Sequence, residues 1–161
     1  MGEAGPAKKE RQTVNIRQYR AEDALAIIGR GTRQPGGVAL DEMTDQLAKA
    51  KESRGPAVTA IADEKIVACG GIEVVWPGVA EAWCLFPHAM SHCEMLPRHA
   101  KRILQQWIED YQLVRVQAPL RADFQTGIRF AEWLGFRCEG RLRRYHPDGC
   151  DALMHSIIVE R

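Results

Sequence analysis

Three strand-like runs succeed one another across residues 57–86, separated by only three residues each time. Residues 57–62, 66–75 and 79–86 are rich in Ala, Val, Ile and aromatic residues, and the breaks read Asp63-Glu64-Lys65 and Trp76-Pro77-Gly78. Strands joined this tightly must lie side by side and antiparallel, because a parallel crossover needs a dozen or more residues. The middle of the chain is therefore a meander, and the flanking segments must pack on it or extend it. Gly70-Gly71 in the central run marks a bulge or a close backbone approach.

The flanks alternate helical and extended patterns. Val14 and Ile16 alternate with polar residues as in a strand. Residues 21–29 form a helix with Leu25 and Ile28 on one side and Glu22 and Asp23 in the first turn, where the helix dipole favours acids. Gln34-Pro35-Gly36-Gly37 breaks the chain, and Asp41 is a reasonable N-cap for a second helix reaching Ser53, with Met43 and Leu47 at i, i+4. After the meander, Pro97 suits the first turn of a helix striped by Ile103, Leu104, Trp107, Ile108 and Tyr111. A buried strand over 113–118 follows, then a helix over 124–134 ended by Gly135 as a left-handed cap, then a hairpin of 136–145 and 151–159 turning at His146-Pro147-Asp148-Gly149. The order is β-α-α-β-β-β-α-β-α-β-β, an α/β chain of the α+β kind with a mixed sheet. Residues 1–12 are polar and charged and read as a flexible tail, leaving 13–161 as one domain.

Composition narrows the function classes. A formal net charge of +1 gives no overall field for nucleic acid. No residue run approaches the length of a membrane span, and the N-terminus lacks the apolar region of a signal peptide. The five cysteines contain no C-x-x-C pair and read as reduced thiols, so a cytoplasmic location is expected, without membrane or nucleic-acid partners.

Two local stretches sharpen the reading. Ile66-Val-Ala-Cys-Gly-Gly-Ile72 follows an acidic turn, and Gly127-Ile-Arg-Phe-Ala-Glu-Trp-Leu-Gly-Phe136 ends a late helix in Leu-Gly-Phe. In this element order they resemble the central strand and late helix of the GNAT superfamily of acyl-CoA N-acyltransferases, over about 145 residues. The resemblance implies transfer of an acyl group from acetyl-CoA to an amine on a small molecule or a protein. That chemistry needs a splayed strand pair for the pantetheine arm, amides at a helix N-terminus for the diphosphate, a base for the amine and an acid for the departing thiolate.

On this resemblance, residues 79–86 are the fourth strand and 113–118 its splayed neighbour, with Cys84, Leu85 and Phe86 beside the arm. The family's diphosphate loop falls on Met90, Cys93 and Met95, or on His92, Met95 and Pro97 with a two-residue insertion, and neither register offers glycine. Arg98 and Arg102, which oppose the dipole at the start of the third helix, are candidates for a substitute anion site; the alternative is an exposed basic face screened by salt. Glu81 opens the fourth strand and is the candidate base, set against a solvated strand-end carboxylate. The family's usual Tyr aligns with Ala131, which cannot donate a proton.

Other clusters carry less. His88, His92, Cys93 and His99 match no zinc spacing, so no metal is expected. Arg137, Arg141, Arg143 and Arg144 fit an edge strand blunted by charge. Trp76, Trp83, Trp107 and Trp133 are expected in the core or at its rim. A second likeness, resting on Tyr145-His-Pro-Asp-Gly149 and the altered loop, is to GNAT-like proteins of tailed bacteriophages and prophages. It implies a binding or structural module, virion-associated and partnered by other virion proteins, as the alternative to an enzyme.

Overall fold

The computed structural model describes residues 13–28, 45–87 and 96–160. Among them the elements are β1 (Val14–Gln18), α1 (Ala21–Ile28), α2 (Asp45–Ser53), β2 (Ala57–Ala62), β3 (Lys65–Trp76), β4 (Val79–Leu85), α3 (Leu96–Asp110), β5 (Arg115–Arg121), α4 (Gln125–Leu134), β6 (Arg137–Leu142) and β7 (Ala152–Ile158). This is the expected order. The tail over 1–12, the break at 34–37, the Asp41 cap, Met43 and the loop carrying His88, Met90, His92, Cys93 and Met95 lie outside the described residues.

The strands form one seven-stranded sheet in the order β1-β2-β3-β4-β5-β7-β6, antiparallel except for the parallel β4–β5 contact. Asp63 and Glu64 both have positive φ (48° and 60°), which suits the right-handed twist of the β2–β3 hairpin. The central run has two register shifts, one opposite Ala60 and Ile61 and one between Val74 and Trp76, and neither lies at the two glycines. Gly71 instead serves the close approach: an added Cβ would stand 2.7 Å from both the Ala57 Cβ and the Pro56 carbonyl oxygen.

Helices cover both faces. Ala24 and Ile27 of α1 and Ala48 of α2 pack on Cys69 and Leu85 together with Tyr19. On the other face, Leu104 of α3 and Ala131 of α4 pack on Ile72, Ala80, Val116 and Phe136. Gly135 takes φ 107° and its N–H bonds the Glu132 carbonyl, ending α4 as the sequence suggests. Two tryptophans depart from expectation: Trp76, at a hairpin tip, is 60% exposed, and Trp133 is 47% exposed with the Lys101 ammonium 5.2 Å from its ring centre. Trp133 falls off the apolar stripe of α4, so the helix turns it to solvent. No helix among the described residues is long and apolar enough to cross a membrane.

One junction decides what the sheet can do. The β4–β5 ladder pairs Val79 with Arg115, Ala80 with Val116 and Glu81 with Gln117, and there it ends. Beyond it, residues 82–85 pair only with β3, and residues 118–121 pair only with β7. The sequence reading stops β5 at Ala118, but the strand runs on through Pro119 to Arg121. A proline lacks the donor a central strand needs, yet past Gln117 this strand is an edge on its β4 side and tolerates one.

Candidate active site

The opening between β4 and β5 leads into a cavity of about 270 Å³ that passes through the sheet. Alternation along β4 sends Glu81 and Trp83 to the α1–α2 face and Ala82 and Cys84 to the α3–α4 face, and all four line the cavity. Leu85 and Phe86 line it as well, so the four predicted β4-region residues, Glu81, Cys84, Leu85 and Phe86, come together. Phe86 is fixed edge-to-face on Phe130 of α4, with ring centres 5.5 Å apart. Burial pushes the Cys84 thiol up, so it stays protonated and acts as an apolar wall.

Glu81 stands at the last paired position, which is the apex of the opening. Strand register sets it in a row with Glu73 on β3, Gln117 on β5 and Ser156 on β7. The two neighbouring carboxylates have different surroundings. Glu73 accepts from the Lys51 ammonium at 2.6 Å and from Arg54 at 3.4 Å. Burial pushes the Glu73 carboxyl up, and the two cations outweigh it and hold it below its ordinary value. Glu81 has a neutral partner: the Gln117 amide N–H₂ donates to Oε2 at 3.4 Å. Gln117 is oriented by Arg115, whose Nε donates to the Gln117 side-chain Oε1 at 3.0 Å while its outer nitrogens clasp Glu139 at 3.0 and 2.6 Å. That clasp, with a bond from Ser156, holds the Glu139 carboxyl down at about 2. A negative row is thus neutralised at one end and left with a carboxylate at the apex.

Besides Gln117 and Glu73, sequence reasoning missed Lys51 and Tyr145. Lys51 is buried, its ammonium 4.6 Å from the centre of the Trp83 ring, and it lines the cavity. It follows Met43 and Leu47 at the same four-residue spacing, so the stripe that placed α2 also pointed to it. Tyr145 is the other. It follows β6 in the terminal hairpin yet lines the cavity. Burial first, and the Glu81 carboxylate second, push its hydroxyl above the ordinary tyrosine value. The hairpin is tied down around it: Arg121 at the end of β5 pairs with Asp148 at 2.8 Å and Asp123 at 3.0 Å, and the Arg144 N–H donates to Asp151 at 2.8 Å. Ala131 is buried and lines the same cavity without a polar group to offer.

Arg98 and Arg102 sit elsewhere. Both are exposed on α3, and the cavity is lined instead by Leu96, His99, Ala100, Ile103, Leu104 and Trp107 of that helix. The four-residue spacing puts the two arginines on one face of the helix, turned from the cleft. Among the described residues, no group of acidic, His and Cys side chains is arranged to hold a metal.

No protein-family model matches the sequence, and no curated protein does. Solved structures do match. An acetyltransferase of the GNAT family from Streptococcus pneumoniae shares 14% identity over 92% of this chain and 100% of its own, with a TM-score of 0.72. The ribosomal-protein-S18-alanine N-acetyltransferase from Escherichia coli shares 18% identity over 92% and 96%, with a TM-score of 0.69. A ribosomal L7/L12 alpha-N-protein acetyltransferase in complex with coenzyme A shares 11% identity over 91% and 94%, with a TM-score of 0.73. With its meander, its β4–β5 opening and its terminal hairpin, the chain has the fold of the GNAT acetyltransferases.

Proposed function

We propose that this chain is an N-acyltransferase that moves an acyl group from coenzyme A to a primary amine. The observation that carries the reading is the end of the β4–β5 ladder at Glu81 and Gln117, which leaves two strand edges free directly beside a carboxylate. Free edges suit an extended amide-bearing arm, because such an arm can pair with backbone as an added strand does. The apolar walls of Cys84, Leu85 and Phe86 fit the arm and exclude water.

The thioester supplies an activated acyl carbon whose C–S bond breaks as the new C–N bond forms. The neutral amine attacks, and Glu81 accepts, directly or through one water, the proton that its nitrogen sheds as the C–N bond forms. Tyr145, whose ring lines the same cavity, donates a proton to the departing thiolate and recovers one from Glu81 through water. Gln117 steadies Glu81 without neutralising it. Lys51 keeps Glu73 from drawing the amine away from the apex.

Thiol release from acetyl-CoA with a panel of amines and peptide N-termini tests the reading. Turnover is expected with at least one acceptor class, and Tyr145→Phe is expected to lower kcat by about tenfold to a thousandfold. Failure of coenzyme A and of every acyl-CoA to bind at concentrations up to about 1 mM would sink the enzyme and leave the non-catalytic binding module as the reading of this fold.

A further inference from the structure

The cavity does not stop at the β4–β5 opening. On the α3–α4 face it continues beneath α3 as far as β1, where Ile16 lines it. The sheet there is floored by small side chains. Val58 pairs with Gly70, Ala60 with Ala68, Gly70 with Cys84 and Ile72 with Ala82, which puts Val58, Ala60, Ala68, Gly70, Ala82 and Cys84 on one face. The roof is larger and apolar: Leu96, Ile103, Leu104 and Trp107 of α3. Interiors are ordinarily filled to crystal-like density, and an empty apolar space costs stability roughly in proportion to its volume. Leu96 at the start of α3 reaches this floor and packs with Ala60 and Ala68; further along the helix, the small residues of three adjacent strands leave a chamber beneath Ile103 and Trp107. The chamber joins the candidate active site at Ala82, the first residue past the last β4–β5 pair and the neighbour of Glu81.

Resting on the acyltransferase reading above, we infer that this chamber receives the acyl chain of the donor, and that the preferred donor carries a straight acyl group longer than acetyl. A two-carbon group placed at the Glu81 apex leaves the space under α3 unfilled. A longer unbranched chain passes over Ala82 and along the floor of Gly70, Ala68 and Ala60, and each methylene that leaves water gains affinity. On this face the lining supplies nothing that would penalise hydrocarbon apart from His99, at its α3 side.

The test is isothermal titration of the full chain with coenzyme A, acetyl-CoA, hexanoyl-CoA and octanoyl-CoA. Affinity is expected to rise by about fourfold for each accommodated methylene, placing octanoyl-CoA at least tenfold tighter than acetyl-CoA. Ala60→Leu fills the floor, and the octanoyl-over-acetyl preference is expected to collapse to about twofold or less. A preference that survives Ala60→Leu shows the chain lying elsewhere and overturns the inference. Coenzyme A and acetyl-CoA binding as tightly as octanoyl-CoA overturns the chamber and leaves the acyltransferase reading standing. Binding of none of the four removes both. Should Ala60→Leu fail to fold, which thermal unfolding reads, the chain-length series on the unaltered protein decides alone.

Discussion

Glu81→Gln is expected to lower kcat by about a hundredfold to ten-thousandfold with KM little changed, the range for loss of a positioned general base. The amide keeps the size and the contact with Gln117, so binding in the opening survives while the proton acceptor is gone. Glu73→Gln is the informative comparison, because the two carboxylates face each other across β3 and β4. Glu73 already carries Lys51 and Arg54, so it has no free charge to contribute to proton transfer. Its loss strands the buried Lys51 ammonium, and the expected penalty is a stability loss of about 3 kcal/mol rather than a comparable fall in kcat. Steady-state kinetics beside urea unfolding separates the two. Equal kinetic losses from both variants, or unaltered turnover in Glu81→Gln, would remove Glu81 from the mechanism.

The second large effect is on stability alone. Asp23 in α1 is 2% exposed and accepts from Arg17 at 2.7 and 2.6 Å, from the buried Thr59 hydroxyl at 2.7 Å and from the Arg20 N–H at 3.0 Å. Burial pushes this carboxyl up, and its four donor bonds outweigh the burial and hold it below its ordinary value. Asp23→Ala therefore leaves Thr59 and the first turn of α1 without their acceptor and is expected to cost about 3–4 kcal/mol. The sign of the pH dependence follows. A carboxyl whose folded value is depressed stabilises fully above its unfolded value, near 4, and loses that contribution as pH falls through the lower folded value. The gap between the parent and Asp23→Ala in urea unfolding should thus be complete at pH 6 to 7 and narrow below about pH 4. A gap within about 0.5 kcal/mol at neutral pH, the scatter of ordinary surface changes, would mean the cluster is not a structural anchor.

Much of the site is legible from sequence because it depends on strand order. Once the three runs over 57–86 are read as a meander, alternation fixes that Glu81, Trp83 and Leu85 share a face, and the β-α-β link sets β5 beside β4. The family resemblance, laid on that strand order, is what picks out Glu81, Cys84, Leu85 and Phe86. It does not pick out Tyr145, because a residue after an edge strand reaches the cleft only through the fold of its hairpin, which Arg121 fixes from another strand. Gln117 and Glu73 become partners of the site only through register across three strands. Arg98 and Arg102 illustrate the converse: the conflict of charge with the helix dipole is visible in the sequence, but which side of α3 faces the cleft is set by the apolar stripe of Leu104 and Trp107. The chamber under α3 was equally hidden, since a row of Ala and Gly spread over β2, β3 and β4 looks in sequence like ordinary small strand residues.

Amide hydrogen exchange on the coenzyme A complex tests the central claim most directly. If the opening receives the arm, saturating coenzyme A slows exchange in residues 82–85, whose β5-facing edge is free, and leaves residues 79–81, already paired on both sides, almost unchanged. Coenzyme A that binds while residues 82–85 exchange at the unliganded rate would place the ligand elsewhere and contradict the account.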